Sequence, residues 1–370
     1  MEKEPKRVLQ IIAELGNGGV ESMIMNIYRN IDRNKVQFDF IAHNENNKYL
    51  KEIEDLGGRI FFIEPMSKIG IIKYSKNLYK ILIENKDIKV VHAHILLQNA
   101  IILTVARMAK VKTRISHSHL TTMHSLKSKL VSPILKLLIS INATEKIACG
   151  IDAGKLLYGK NKFKVLNNAI ELEKFTNVET SKSKFKEENN IDESTILIGH
   201  VGRFVTQKNH KFIINLAKSL KMNYGLKTKI FLVGDGPMLE FFKEEVDNNS
   251  LNDIVTFLGA RNDINELLHN FDVFILPSLF EGLPVILVES QAAGLPSVIS
   301  STITNEVDLG INLIKSISLE EDMEIWVKSI IEQSKIDLPS KEEIIEAFKE
   351  RKYDIKSSLE SVYRLYDISN

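Results

Sequence analysis

The chain is 370 residues long, with 44% hydrophobic, 26% charged and 7% aromatic residues, a net charge of +1 and a single cysteine, Cys149. That length accommodates two domains of ordinary size, each with its own core, one cysteine excludes an internal disulfide and fits a reducing compartment, and the longest apolar run, residues 95–106, is broken by Gln98 and Asn99 and is too short to span a membrane. The charge is unevenly spread: residues 1–170 carry 27 Lys/Arg against 15 Asp/Glu, the remainder 22 against 33, and residues 88–144 hold eight cations and no acid. Such a field attracts an anion. Without interleaved aromatics or a nucleic-acid module, a membrane surface or a lipid pyrophosphate fits it better than nucleic acid. The opening lacks the layout of a signal peptide, so a cytoplasmic protein, peripheral at most to the inner face of the membrane, is expected.

Residues 7–13 read as an apolar strand, residues 14–21 as a Gly-rich turn, and a helix follows to about Asn30. The turn differs from the Gly-x-Gly-x-x-Gly dinucleotide fingerprint, and its glycines serve either a close turn or a phosphate. Strand and helix signals then alternate at residues 38–42, 49–56, 59–63, 69–84 and 90–93, which predicts a parallel sheet with helices on both faces. A strand at 114–117 delivers His117-Ser118-His119 to its C-terminal end, where such sheets bind ligands. His92, His94, His117, His119 and His124 cluster in sequence, but no Cys or carboxylate lies near and the spacing assembles no tetrahedral site, so no metal is expected. His92 and His94 are expected to shape a wall or satisfy backbone groups. Over residues 125–141, Leu126, Leu130, Ile134, Leu137, Leu138 and Ile141 alternate with Lys127, Lys129 and Lys136. This is either a core-facing helix begun at Pro133 with a Ser132 cap or a peripheral membrane contact.

Further on, a strand at 146–149, a helix at 152–158 and a strand at 163–166 lead to Asn167-Asn168-Ala169-Ile170. A linker is expected between about Asn168 and Asn190, where residues 182–190 are charged and poor in apolar side chains. The rhythm restarts with a strand at 195–201 that ends in Gly202-Arg203-Phe204, and Gln207-Lys208-Asn209-His210 opens a helix to about Tyr224. Arg203 and Lys208 offer a guanidinium fork and a point charge at one strand-to-helix junction, a pairing suited to a diphosphate. Strands at 229–233 and 254–258 precede Gly234-Asp235-Gly236-Pro237 and Gly259-Ala260-Arg261-Asn262-Asp263. The strand at 273–276, the turn at 277–284 and the helix at 285–293 carry Glu281 and Glu289, eight residues apart. Free amides at that helix start attract phosphate, and carboxylates accept hydrogen bonds from sugar hydroxyls. Equally, Glu281 caps the helix and Glu289 lies on a solvated face. Helices at 342–349 and 355–366 close the chain.

Taken in order, the Gly-Gly-x-Glu loop, His119, the Asn168 boundary, Arg203 with Lys208, and Glu281-x7-Glu289 resemble the motifs of retaining glycosyltransferases of family 4. The resemblance covers nearly the whole chain. It implies the GT-B fold, an α/β architecture of two Rossmann-like parallel-sheet domains facing a cleft, with the C-terminal helix crossing back to the first domain. Residues 1–170 plus about 353–370 would bind the acceptor and residues 171–352 the donor. The implied reaction moves a sugar with retention from a nucleotide diphosphate sugar, UDP-linked, to a hydroxyl of a lipid-linked or oligosaccharide acceptor in cell-surface polysaccharide synthesis, with no cofactor. His-Ser-His and Cys149-Gly150-x-x-Ala153-Gly154-Lys155 resemble the capsular and exopolysaccharide branch. By this likeness Gly18, Gly19 and Asn17 close on the donor phosphates, and His119, with His117 as the alternative, orients the sugar. Arg203, Lys208 and the amides of Leu283 and Val285 neutralise the leaving diphosphate, and Gly282 and Pro284, which supplies no N–H, belong with them to the donor-binding set. Glu281 meets sugar hydroxyls, Glu289 the ribose, Gly234 the phosphate side and Arg261 the base. Ala169 stands where the family has glycine, so its backbone must avoid positive φ or accept strain. A sugar-nucleotide epimerase, a phosphorylase or a non-catalytic nucleotide-sugar binding subunit are the alternatives on the same fold.

Overall fold

The computed structural model describes residues 4–13, 19–43, 49–121, 126–223 and 227–368. The chain divides into two units, Met1–Ala169 with Ile355–Asn370, and Ile170–Asp354. The two cations and two acids of residues 355–370 leave the first unit as basic as the first 170 residues alone.

The first unit is built on seven strands, β1 (Lys6–Ile11), β2 (Val36–Ala42), β3 (Ile60–Phe62), β4 (Ile88–Ala93), β5 (Thr113–Ser118), β6 (Glu145–Ala148) and β7 (Lys164–Val165). They pair in parallel in the order β3-β2-β1-β4-β5-β6-β7. Side chains alternate across a strand, and the central strands β1, β2 and β4 are buried on both faces, which is why they read as largely apolar runs. Val8, Phe38, Phe40, Val90 and Ile115 pack on one face with Met23 and Ile27 of the Gly19–Asn30 helix and Val362 and Leu365 of the Ile355–Leu365 helix. On the other face Leu9, Ile11, Ile41 and Val91 meet Tyr74, Leu78, Ile102 and Leu103. The last helix therefore belongs to the first unit's core. Each fully buried aliphatic or aromatic side chain it adds is worth about 1.5–3 kcal/mol, and Lys6 Nζ donates to the carbonyls of Tyr366 (2.9 Å) and Asp367 (2.7 Å) just beyond it.

The second unit has six parallel strands, β8 (Ile196–Val201), β9 (Thr228–Val233), β10 (Val255–Gly259), β11 (Val273–Leu276), β12 (Ser297–Ser300) and β13 (Ile314–Ile317), in the order β10-β9-β8-β11-β12-β13. Ile198, Ile230, Leu232, Val273, Ile275 and Val298 bury one face against Ile213, Ala217, Phe242, Val246 and the only tryptophan, Trp326. In each sheet the strand order reverses at one place, between β1 and β4 and between β8 and β11. Open α/β sheets bind ligands beyond the strand ends at such switch points.

Two expectations are corrected, the linker and the core-facing helix, and the one for Ala169 is met. Residues 182–190 are not a linker: Lys182–Glu188 is a helix of the second unit, capped by Ser181, whose hydroxyl accepts from Lys184 N. Its Lys186 is buried with Nζ on Glu193 O (2.6 Å), so a cation fills an inward position where an apolar residue was sought. The basic amphipathic helix spans Leu126–Asn142 with Pro133 inside it rather than at its start. Leu130, Ile134, Leu137 and Ile141 are 81%, 67%, 60% and 54% exposed, so this stripe is not core-facing. Ala169 is buried and has no positive φ, which removes the need for glycine there.

Candidate functional site

At the second unit's switch point the turn after β8 is laced to its neighbours. Gly202 N donates to Val233 O and Phe204 N to Asp235 O, both at 2.9 Å, and buried Phe204 stacks on His210 at 4.0 Å. That closeness demands glycine opposite. Gly234 has φ +140°, and a Cβ there would lie 2.1 Å from Gly202 O. A 3-10 turn, Thr206–Lys208, and Asn209 in the left-handed region (φ 56°) then feed the His210–Asn223 helix. Asn209 Nδ2 donates to Pro277 O (3.0 Å) and Leu279 N to Gln207 O (2.9 Å), which stitches this turn to the one after β11.

Glu281 sits in that second turn, 8% exposed. Its Oε1 accepts from Lys208 Nζ at 2.6 Å and Ser278 Oγ at 2.8 Å, and its Oε2 from Gln207 Nε2 at 3.1 Å. The carboxylate is thus held in one orientation by three donors, and the ammonium has three N–H groups, one of which goes to Glu281. Arg203 is exposed on the adjoining turn. The Val285–Ala292 helix begins after Pro284, which supplies no side-chain cap, and its first amides have no partner inside the helix. Glu289 lies one turn in, half-buried, and its carboxylate makes no hydrogen bond or ion pair among the described residues. Burial pushes it up to about 7. Gly282, Leu283, Pro284 and Val285 are buried. Arg261 is exposed and forks onto Asp263, Nε to Oδ1 at 2.8 Å and Nη2 to Oδ2. The structure therefore joins Lys208 to Glu281 at adjacent turns and turns Arg261 onto its own loop. Gln207 and Ser278 are the residues missed. The only sequence signal was their position beside Lys208 and three residues before Glu281.

In the first unit the face that holds Val8 and Val90 becomes polar at the C-terminal strand ends. Gln10 lies beside His92 across β1 and β4, His92 beside Ile115 across β4 and β5, and the period of two puts His94, His117 and His119 on the same face. His94 Nδ1 is 2.9 Å from His119 Nε2, His94 Nε2 is 2.9 Å from Gln10 Oε1, and His92 Nδ1 is 3.0 Å from the Tyr366 hydroxyl. Of the two roles expected for His92 and His94, shaping a wall or satisfying backbone groups, the second is not seen: their bonds go to side chains. Burial lowers His92 and His119 to about 3 and holds His94 and His117 well below the ordinary histidine range, so all four are neutral near pH 7. His117 is fully buried, with neither ring nitrogen bonded among the described residues, and lies 3.9 Å from the His119 ring; of the two, only His119 keeps exposed surface. One nitrogen each of His92, His94 and His117 lie within 4.8 Å of one another, a convergence that sequence spacing did not show. Nitrogens around a tetrahedral zinc stand roughly 3.3 Å apart, and both His94 nitrogens are already engaged, so this is not a closed ligand set. Gly19 is exposed at the start of its helix; Asn17, Gly18 and His124 lie outside the described residues. A cavity of about 420 Å³, lined by Ala13, Glu21, His43, Pro65, Ser67 and Gln98, opens at the same strand ends.

Residues 181–350 match the family described as glycosyl transferases group 1. Over its full length the chain is 38% identical to a Bacillus subtilis (strain 168) protein, EpsF, that carries the name of a glycosyltransferase, covering 98% of it. It is 30% identical over 72% of each chain to the Escherichia coli UDP-Gal:alpha-D-GlcNAc-diphosphoundecaprenol alpha-1,3-galactosyltransferase. Among solved structures, Anabaena Alr3699/HepE in complex with UDP and glucose superposes with a TM-score of 0.76 at 18% identity, over 98% of this chain and 99% of that one. Each unit has the architecture of a GT-B domain.

Proposed function

Because the chain belongs to the glycosyl transferases group 1 family and is a glycosyltransferase of polysaccharide synthesis, we propose that it transfers a sugar, with retention, from a UDP-sugar to a hydroxyl of a lipid-linked or oligosaccharide acceptor. The observation that carries this reading is the Lys208–Glu281 pair at the β8/β11 switch point, 2.6 Å apart, with Arg203 on the adjoining turn. Two adjacent turns thus offer a fixed carboxylate to sugar hydroxyls and two cations to a diphosphate.

In the proposed reaction the bond from the anomeric carbon to the β-phosphate oxygen breaks, and the acceptor oxygen bonds to the same face of that carbon. The acceptor's proton passes to the departing phosphate. Charge grows on that phosphate in the transition state, where Arg203, Lys208 and the amides of Leu283 and Val285 stabilise it. Glu281 holds the sugar and Glu289 the ribose, Gly234 gives the phosphate room, and Arg261 serves the base. His119 meets a sugar hydroxyl. No cofactor enters this scheme. UDP is favoured by the donor in the name of the Escherichia coli relative and by the UDP bound to the Anabaena structure, and the lipid-linked acceptor by the diphosphoundecaprenol in that relative's name.

The membrane enters through the Leu126–Asn142 helix. Among the described residues no helix is long and apolar enough to cross a membrane. Instead Leu130, Ile134, Leu137 and Ile141 project from one face within a segment that has eight cations and no acid. An exposed apolar stripe in a basic field suits an anionic lipid surface.

The test is incubation with UDP- and GDP-sugars and a synthetic polyprenyl-diphosphate sugar, following UDP release and the anomeric configuration of the product by NMR. An α-linked product from an α-linked UDP-sugar is expected. A β-linked product overturns retention, and an epimer formed from donor alone, or cleavage that requires inorganic phosphate, overturns transfer to a hydroxyl.

A further inference from the structure

We propose that a hydrogen-bond relay running from Tyr366 through Gln10 and His94 fixes which nitrogen of His119 carries the proton, which makes Gln10, His94 and Tyr366 positioning residues of the site. Gln10 and Tyr366 are each 1% exposed and His94 7%, so water does not compete for their bonds. Gln10 Nε2 donates to the Tyr366 hydroxyl at 3.1 Å, which directs its Oε1 to His94 Nε2 at 2.9 Å. An amide oxygen only accepts, so His94 carries its hydrogen on Nε2. A neutral imidazole has one N–H. His94 Nδ1 is therefore bare, and at 2.9 Å it accepts from His119 Nε2–H. His119 is left with a bare Nδ1, which makes no hydrogen bond among the described residues. At the other end Tyr366, having accepted from Gln10, can donate to His92 Nδ1 at 3.0 Å.

Each of the four bonds finds a donor and an acceptor, and turning the Gln10 amide over reverses all of them at once; with the amide as it stands, the Tyr366 hydroxyl can also accept from His92 Nδ1, which leaves His94 and His119 as assigned. The direction is thus a collective property of side chains from β1, the ends of β4 and β5, and the residue after the last helix. Low proton affinity, caused by burial, keeps the histidines neutral and the count at one hydrogen per ring.

The consequence concerns recognition and rests on the reading that His119 meets a sugar hydroxyl. With Nδ1 bare, His119 accepts a hydrogen bond and cannot donate one there. A free imidazole in water exchanges tautomers, and only part of its population would present that lone pair. The relay removes the exchange. A segment more than 240 residues downstream of His119 in sequence thereby sets the chemistry at the end of β5.

The test is long-range proton–nitrogen NMR on the full chain labelled with ¹⁵N-histidine near pH 7, together with Tyr366→Phe and Gln10→Met. His94 and His119 are both expected as Nε2–H in the unsubstituted protein. Tyr366→Phe frees the Gln10 amide, so His119 is expected to become a tautomer mixture. The KM for the nucleotide sugar then rises about three- to ten-fold, the size of one neutral hydrogen bond, with affinity for UDP unchanged. His119 found as Nδ1–H in the unsubstituted protein overturns the relay without recourse to any variant. A folded Tyr366→Phe protein with neither tautomer nor KM altered overturns it too. A tautomer change with constant KM upholds the relay and overturns the sugar-hydroxyl role of His119.

Discussion

Replacing Lys208 by methionine removes the ammonium 2.6 Å from a carboxylate that is 8% exposed. Breaking a buried pair from one side costs roughly 3–5 kcal/mol, because the remaining charge is stranded. Here Glu281 keeps Ser278 Oγ and Gln207 Nε2 as neutral donors, which lowers the cost towards the bottom of that range. A second bound comes from proton uptake. Neutralising a carboxyl of ordinary acidity costs about 3.7 kcal/mol at pH 7 but only about 1 kcal/mol at pH 5. The stranded carboxylate takes that route when it is cheaper. Lys208→Met is therefore expected to destabilise the second unit by about 3 kcal/mol at pH 7 and about 1 kcal/mol at pH 5.

The only tryptophan, Trp326, is fully buried in that unit's core, so its fluorescence in urea reads this unfolding directly. Adding Glu281→Gln to Lys208→Met should restore about 2 kcal/mol at pH 7, since a neutral amide is stranded far more cheaply than a charge. Turnover behaves otherwise. If Lys208 stabilises the leaving phosphate, its loss lowers kcat by roughly 10²–10³, and the second substitution does not bring it back. A pH-independent stability loss refutes the stranded-charge account, and recovery of kcat in the double variant refutes the assignment of Lys208 to the phosphate.

Much of this architecture was legible because parallel strands covered on both faces must be apolar along their length, as 273–276 is. Turn chemistry located their C-terminal ends, and the chemistry-bearing residues named from the sequence lie at those ends. What escaped has physical reasons. β13 (Ile314–Ile317) is an edge strand whose Lys315 and Ser316 face solvent, so it never forms an apolar run. Lys182–Glu188 buries a lysine where hydrophobic periodicity looks for an aliphatic residue. The stripe of Leu130, Ile134, Leu137 and Ile141 has the spacing of a buried face, and sequence carries no sign of which faces remain uncovered. Gln10 interrupts the apolar alternation Val8, Ile12 on one strand face, a readable anomaly, but its partners Tyr366 and His94 meet it only through tertiary packing.

Three further outcomes are expected. Gly234→Ala sets a Cβ 2.1 Å from the Gly202 carbonyl at φ +140°. It should cost the second unit on the order of 2–4 kcal/mol by Trp326 fluorescence, and a shift under 1 kcal/mol would show that the two turns are not tightly joined. Ile134→Ser with Leu137→Ser should lower sedimentation with anionic phospholipid vesicles at least ten-fold, given about 1.5–3 kcal/mol per buried aliphatic side chain. Absence of vesicle binding by the unsubstituted protein removes the membrane role. The last concerns Glu289, whose carboxyl burial raises from 4.5 to about 7. Between those values the folded chain holds a proton that the unfolded chain has released, so stability falls as pH rises through the window and levels off above about 7. Allowing for its partial exposure, the loss is about 2 kcal/mol, and Glu289→Gln should abolish the slope. Binding should run the opposite way. Ribose hydroxyls donate best to the ionised carboxylate, so UDP affinity should strengthen from pH 6 to pH 8 in the unsubstituted protein and stay flat in Glu289→Gln. A pH slope in stability without one in UDP affinity would place Glu289 in the packing of its helix and take the ribose away from it.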